Sequence, residues 1–199
     1  MLKSDRTRQR ILDTAAQEFR RRGYAGTKVN DIATAANMRA ASIYYYFESK
    51  DQLFEEVLEI GLRLVFEAVR KAVSAVPPAA SQRARIEAAV QAHLVMLHEY
   101  GDYSSANIRN FGQTPNEIQR RQLELRRSYG EYWRKLLQDA REAGELRPET
   151  DLSLLRMFVY GAMNWSLEWV KPGKLPATAL ARQLCNTLFD GIITPSSPR

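Results

Sequence analysis

The stretch that most constrains this chain is residues 27–53, TKVNDIATAANMRAASIYYYFESKDQL. Val29, Ile32, Ala33 and Ala36 recur at helical spacing and give a short first helix one apolar face. Thr27 stands where an N-cap belongs, its hydroxyl available to the free amides of the first turn. Asn37 breaks this helix, because asparagine tolerates the left-handed backbone that a short helix-to-helix turn requires. Met38 is expected beneath the turn. A second short helix then spans residues 39–47, with Ile43 and Phe47 one turn apart on its inner side. Ser49 and Gln52 form a capping box for the next helix. Two helices of this length joined by this turn describe a helix-turn-helix, whose second helix enters a DNA major groove.

The rest of the chain reads as helix. A first helix over residues 4–23 buries Ile11, Leu12, Ala15, Ala16 and Phe19, ends at Gly23, and uses Tyr24 to plug the small core. A fourth covers 50–75 and is stopped by Pro77 and Pro78. Ser81 caps a fifth, with Ile86, Ala89, Val90, His93, Leu94 and Leu97 inward and Gly101 closing it. A loosely held sixth spans 104–111 on Ile108 and Phe111. A seventh runs 115–143 with Thr114 as its cap and Pro115 at its first position. Asp151 opens an eighth, to about Val170, stopped by Lys171-Pro172-Gly173. A ninth begins at Pro176, with Leu180, Leu184, Leu188, Ile192 and Ile193 as its stripe. The expected fold is all-α, about nine helices: a helix-turn-helix DNA-binding domain over residues 1–50, a second helical domain over 51–194, and a disordered tail over 195–199.

Charge supports this division. Residues 1–50 carry 10 Lys/Arg against 5 Asp/Glu, whereas 51–199 carry 19 against 18, so most of the net +6 lies at the helix-turn-helix end. A basic face coinciding with such a motif is the footprint of a phosphate-binding surface. Arg20, Arg21 and Arg22 have two readings, DNA contacts or partners of the helix dipole. No apolar run approaches the ~18–20 residues that span a bilayer. The opening MLKSDRTRQR lacks a hydrophobic signal core, so the expected location is cytoplasmic, without membrane contact. Cys185 is the single cysteine, which excludes an intrachain disulfide.

The spacing of V-N-D-I-A-T-A-A and S-I-Y-Y-Y-F-E-S-K-D-Q-L resembles the N-terminal domain of the TetR family of bacterial transcriptional regulators, over about residues 8–53. Asn37 departs from the glycine usual there but keeps the turn geometry. The resemblance implies that Thr27, with the neighbouring Lys28, and Lys50 hold phosphates on either side of the groove. It also implies that the run Tyr44, Tyr45, Tyr46 includes further backbone contacts. Helical geometry forbids all three facing one way, and Tyr44, beside Ile43, is assigned to packing. Base reading is expected from Arg39, Ala40, Ala41 and Ser42. Arg39 can pair with a guanine or hold a phosphate; both readings stand.

The same resemblance implies that residues 51–194 are a ligand-binding and dimerisation domain, a homodimer formed by the eighth and ninth helices on a near-palindromic duplex, and a repressor released by a small-molecule effector, with a ligand-responsive activator, or an effector unrelated to acyl-CoA, as the alternative. Independently, the eighth helix is more apolar than one-sided packing needs. Its N-W-x-x-x-W-x-x-P run is similar to a TetR subgroup that senses acyl-CoA thioesters. Trp165 and Trp169 share a helix face and either meet a ligand or pack in a core or interface. Asn164, Lys171 and Arg109 complete the candidate ligand set. The expected lever is the fourth helix, displaced by ligand between helices four, five, seven and eight. An enzyme is not expected. His93 and His98 are five apart, off the spacing of a helical metal pair, and no nucleophile elbow, phosphate loop or metal cluster appears. No catalytic residue, metal or cofactor is assigned.

Overall fold

The structure, a computed structural model, describes residues 3–99, 101–171 and 173–191, apart from the side chains of Lys3 and Phe111. Its elements among the described residues are all helices: α1 (Lys3–Gly26), α2 (Val29–Ala35), α3 (Ala40–Tyr44), α4 (Lys50–Ser74), α5 (Gln82–His98), α6 (Asp102–Arg109), α7 (Asn116–Arg121), α8 (Leu123–Glu142), α9 (Leu152–Trp169) and α10 (Ala177–Asp190), with a 3-10 turn at Phe111–Gln113. The expected tail, Ile192, Ile193 and Pro172 lie outside the described residues. The chain divides into two compact units, Met1–Phe66 with Tyr100–Tyr129, and Glu67–Glu99 with Gly130–Arg199. This packing division falls within α4 and α8, not at residue 50.

In the first unit, the stripe Ile11, Leu12, Ala15, Ala16 and Phe19 is buried against Ile32, Ile43, Phe47, Leu53 and Phe54. Backbone helix geometry breaks at Gly23 (φ 73°), after which the chain turns a corner into α2. Tyr24 fills that corner, its ring 4.6 Å from Phe54. Asn37 sits at φ 53°, the one non-glycine residue with positive φ among those described. Around it the Met38 amide donates to Ala33 O (2.8 Å) and the Asn37 amide to Thr34 O (3.0 Å). This pair of bonds is a Schellman closure, which satisfies the last carbonyls of α2.

Several local expectations are corrected here. Thr27 does not cap α2; Lys28 holds the N-cap position. Thr27 is buried, and its hydroxyl donates to Gly23 O (2.7 Å), tying the corner together. Ser49 Oγ accepts from the Gln52 amide (3.1 Å), but Gln52 Oε1 reaches the Glu48 amide (2.6 Å) instead of Ser49's own. Gly101 precedes α6 instead of closing α5, whose C-cap is Glu99. The expected seventh helix is two helices, interrupted at Gln122. Gln122 is buried because its Nε2 donates to Glu55 O on α4 (2.9 Å), which pulls the side chain inward at the break. Pro115 is the N-cap of α7, while the Thr114 hydroxyl donates to Asn110 O (2.8 Å).

α6 is not loosely held. Its inner face is Ser104, Ser105, Ala106 and Asn107, all buried. Asn107 Nδ2 donates to Leu58 O on α4 (2.7 Å). The buried Asn110, just past α6, donates from Nδ2 to Phe19 O (3.0 Å) and accepts from the Tyr24 amide at Oδ1 (2.6 Å). Small polar side chains that bond backbone carbonyls hold this helix, so the apolar pattern found it but understated how firmly it is packed.

In the second unit, α5 buries all six residues expected, His93 included. Ser81 caps α5 by accepting from the Ala84 amide, and Glu145 takes the amides of Gln82 (2.8 Å) and Arg83 (2.7 Å). Asp151 caps α9 through Ser153 and Leu154. His93 Nε2 meets Asn164 Oδ1 at 3.1 Å. Burial lowers the His93 pKa to about 4, partly offset by that hydrogen bond. A folded-state pKa below the unfolded value of about 6.5 means that the unfolded chain binds the proton first. Stability attached to neutral His93 is therefore complete above about pH 6.5 and is lost progressively down to about pH 4. We expect about 1.4 kcal/mol lost by pH 5.5, from the 1.4 kcal/mol per pH unit of one differential proton. His93→Gln should flatten that part of the stability profile in denaturant titrations at pH 5.5 and 7.5.

Candidate nucleic-acid interface

The surface that α2 and α3 present follows from which side chains their core rejects. Ile32, Ala33, Ile43 and Phe47 point inward. Opposite them, Lys28, Asn30, Thr34, Arg39 and Ala41 are exposed, and Ser42 is half-buried. Lys28 and Arg39 take extended backbone as N-caps of α2 and α3. The Lys28 amide donates to Asp31 Oδ2 (3.0 Å), which fixes the first turn of α2.

The tyrosines part company. Tyr45 is 82% exposed and Tyr44 is 54% exposed. Tyr46 packs on the core, and its ring meets that of Tyr45 edge-to-face at 5.1 Å. Tyr44 is thus on the outer surface, not packed, and Tyr46 takes the inner place. The physical reason is helical spacing: Tyr46 follows Ile43 by three positions and shares the inner face with Ile43 and Phe47, whereas Tyr44, one position on, does not. Ala40 leans on the core as well.

Of the basic residues, Arg20 pairs with Asp102 (2.6 Å), Arg21 with Glu18 (2.8 Å), and Arg22 with Glu18 (2.9 Å). Arg8 pairs with Glu56 and lies over the Phe47 ring. Each of these cations has an acidic partner within its own unit. Lys50 Nζ bonds two backbone carbonyls, Tyr24 O (3.0 Å) and Thr27 O (3.2 Å). The Tyr24 hydroxyl donates to Asp51, and burial together with that bond raises its pKa to about 12. This joint carried no signal in the sequence beyond the pairing of an aromatic residue and a lysine at distant positions.

On α9 the candidate ligand residues divide between the inward and the exposed side. Asn164 turns inward to His93, while Trp165 is 68% and Trp169 54% exposed. The two tryptophans are therefore not part of their own unit's core. They continue a stripe with Leu154, Met157 and Phe158, all exposed. α9 buries Val159, Met163 and Ser166 on its other side. Lys171 is exposed, and Arg109 is exposed on α6 in the first unit. Among the described residues no group of His, Cys, Asp or Glu is arranged to hold a metal ion. None of their helices is long and apolar enough to cross a membrane.

Two short helices around a left-handed turn, the second exposing an arginine and tyrosines, define a helix-turn-helix DNA-binding protein with a second helical unit attached. Residues 11–57 match the bacterial regulatory proteins of the tetR family, and residues 79–192 match the tetracyclin repressor-like C-terminal domain. The chain belongs to the TetR family of transcriptional regulators. It is 29% identical over 194 residues to the HTH-type transcriptional repressor KstR2 of Rhodococcus jostii (strain RHA1), covering 94% of this chain and 92% of that protein. The structure of the TetR family regulator PfmR from Thermus thermophilus superposes with a TM-score of 0.81 at 26% identity, over 92% of this chain and 99% of that one. AibR, solved in complex with isovaleryl coenzyme A and operator DNA, shares the fold at a TM-score of 0.82 and 24% identity, over 92% of this chain and 98% of that one.

Proposed function

We propose that this regulator is a homodimeric repressor that binds a near-palindromic operator and is released by a small-molecule effector. The observation that carries the DNA reading is the outward side of α2 and α3, where Lys28, Arg39, Tyr44 and Tyr45 are exposed and Ser42 is half-buried. Lys28 and the tyrosines serve as phosphate contacts, which position the head. Arg39, at the start of α3, is the base reader. The dimer forms through α9 and α10, and the support for it is the unpartnered apolar stripe of α9. A two-fold pair of heads then meets successive major grooves about one DNA turn apart, or a multiple of it.

The effector is an acyl-CoA thioester. This reading rests on the Asn164-Trp165 to Pro172 motif and on the named ligand of AibR. An effector of unrelated chemistry is the alternative. Effector and operator binding are reciprocally coupled, typically by about 1–3 kcal/mol.

Fluorescence anisotropy on DNA from the gene's own upstream region tests the whole reading. Affinity should fall steeply with salt, with a slope of roughly −0.9 per phosphate contact. Tyr45→Ala should weaken binding about 100-fold, as expected for one lost contact of about 1.4 kcal/mol in each protomer of the dimer. Arg39→Ala should cost about 1–3 kcal/mol and relax the preference at one base pair; an equal loss on all sequences would make Arg39 a phosphate contact instead. Isovaleryl-CoA, longer acyl-CoA thioesters and free CoA, added in turn, should separate an acyl-CoA effector from the alternative. Binding that remains weak and equal on unrelated and selected DNA would sink the operator reading.

A further inference from the structure

We propose that Lys50 is a positioning residue for DNA binding and not a phosphate ligand. The inference rests on the operator reading above and refines it. An ammonium has three N–H donors. Two of those on Lys50 go to Tyr24 O (3.0 Å) and Thr27 O (3.2 Å), and the nitrogen stands 4.0 Å from the centroid of the Tyr24 ring. The half-buried cation is thus held by two carbonyls beside an aromatic face, which takes up two of its three donors.

Both carbonyls belong to the corner that follows Gly23, where helix geometry is interrupted. The backbone bond that crosses this corner, from the Thr27 amide to Tyr24 O, is long at 3.4 Å. Beside the Thr27 hydroxyl bond to Gly23 O and the Asn110 bond to the Tyr24 amide, Lys50 supplies the polar tie that reaches this corner from α4. Thr27 immediately precedes Lys28, the N-cap of α2. Lys50 is itself the first residue of α4. Its side chain consequently joins the start of α4 to the start of α2, and α2 carries α3 with it through the Asn37 turn. Asp51 holds the Tyr24 hydroxyl and keeps the ring under the cation. The consequence is mechanical: Lys50 sets the angle at which α2 and α3 leave the α1–α4 frame, while exposed groups such as Lys28 meet the phosphates.

The test compares the intact protein with Lys50→Met and Tyr24→Leu on one operator fragment across a salt series. Lys50→Met keeps the aliphatic stem and removes the donors. It should weaken binding roughly 10- to 100-fold at each salt, and the slope of log K against log salt should stay at the wild-type value. Tyr24→Leu, which leaves Lys50 in place, should weaken binding in the same way. Lys28→Gln is the control for a true phosphate contact. Its slope should become shallower by roughly 0.9 per site, about 1.8 for two protomers. The same shallowing in Lys50→Met overturns the proposal whatever Tyr24→Leu does, and so does unchanged affinity. If Lys50→Met does not fold by circular dichroism, Tyr24→Leu decides: weakened binding supports the proposal and wild-type binding overturns it. Failure of the wild-type protein to bind selected DNA would instead remove the operator reading on which the proposal stands.

Discussion

Phe158→Asp is expected to yield a folded monomer that no longer binds its operator with useful affinity. Phe158 is 67% exposed in the single chain and sits mid-stripe on α9. Its replacement removes no core packing from the protomer, and surface changes of that kind stay within about 0.5 kcal/mol. In the two-fold dimer proposed through α9 and α10 the same residue would be buried twice. Burying a phenylalanine contributes about 1.5–3 kcal/mol, so the pair contributes about 3–6 kcal/mol before any cost of burying the new carboxylates. That is roughly a 100- to 10,000-fold rise in the dimer dissociation constant. Sedimentation should show the shift in mass, thermal melting should show a protomer fold that persists, and anisotropy should show loss of binding to the palindromic site. A variant that stays dimeric with unchanged affinity would move the interface away from α9.

Gly61→Ala is expected to destabilise the first unit by about 3 kcal/mol, the reverse of what helix propensity dictates. Gly61 lies in the interior of α4, where alanine is intrinsically better by about 1 kcal/mol. A Cβ there would stand 2.3 Å from Tyr103 O, 2.6 Å from Tyr103 C and 3.1 Å from the Ser104 amide nitrogen. These are backbone atoms of α6 and cannot rotate away. The helix must retreat, and overpacking of this kind costs about 1–3 kcal/mol. Retreat also strains the Asn107 bond to Leu58 O, and a buried amide left unpaired costs about 1–3 kcal/mol more. Asn110 would be drawn off Tyr24, the residue that also receives Lys50, so operator affinity should fall along with stability. Urea unfolding and anisotropy on the same preparation check both effects. A more stable Gly61→Ala protein would mean that the backbones of α4 and α6 do not touch as described.

Much of the fold was readable because helices announce themselves locally. The stripe from Ile11 to Phe19 and the six inward residues of α5 repeat at the period of their own helix. The Asn37 turn depends on the backbone preference of one residue. The Ser81 and Asp151 caps reach amides two or three residues away. The site was readable to the same depth. Arg39 and Tyr45 were expected at the surface and are found there, whereas Tyr44 was assigned to packing for its place beside Ile43 although the i, i+3 neighbour Tyr46 is the one that shares the inner face. The outward turn of Trp165 and Trp169 was not readable, since an almost wholly apolar helix gives no sign of which side its neighbours cover.

By itself, then, the sequence determined that the chain is all helical, that a helix-turn-helix lies at its basic end, and which stripes are buried. Those are properties of residues a few positions apart. Tertiary structure decided what Thr27, Lys50, Gly61, Asn110 and Gln122 do. The partner of Lys50 at Thr27 is 23 residues away, that of Gln122 at Glu55 is 67, and that of Asn110 at Tyr24 is 86. A polar side chain seeks whichever unpaired backbone group packing brings near it, and no local periodicity encodes that choice.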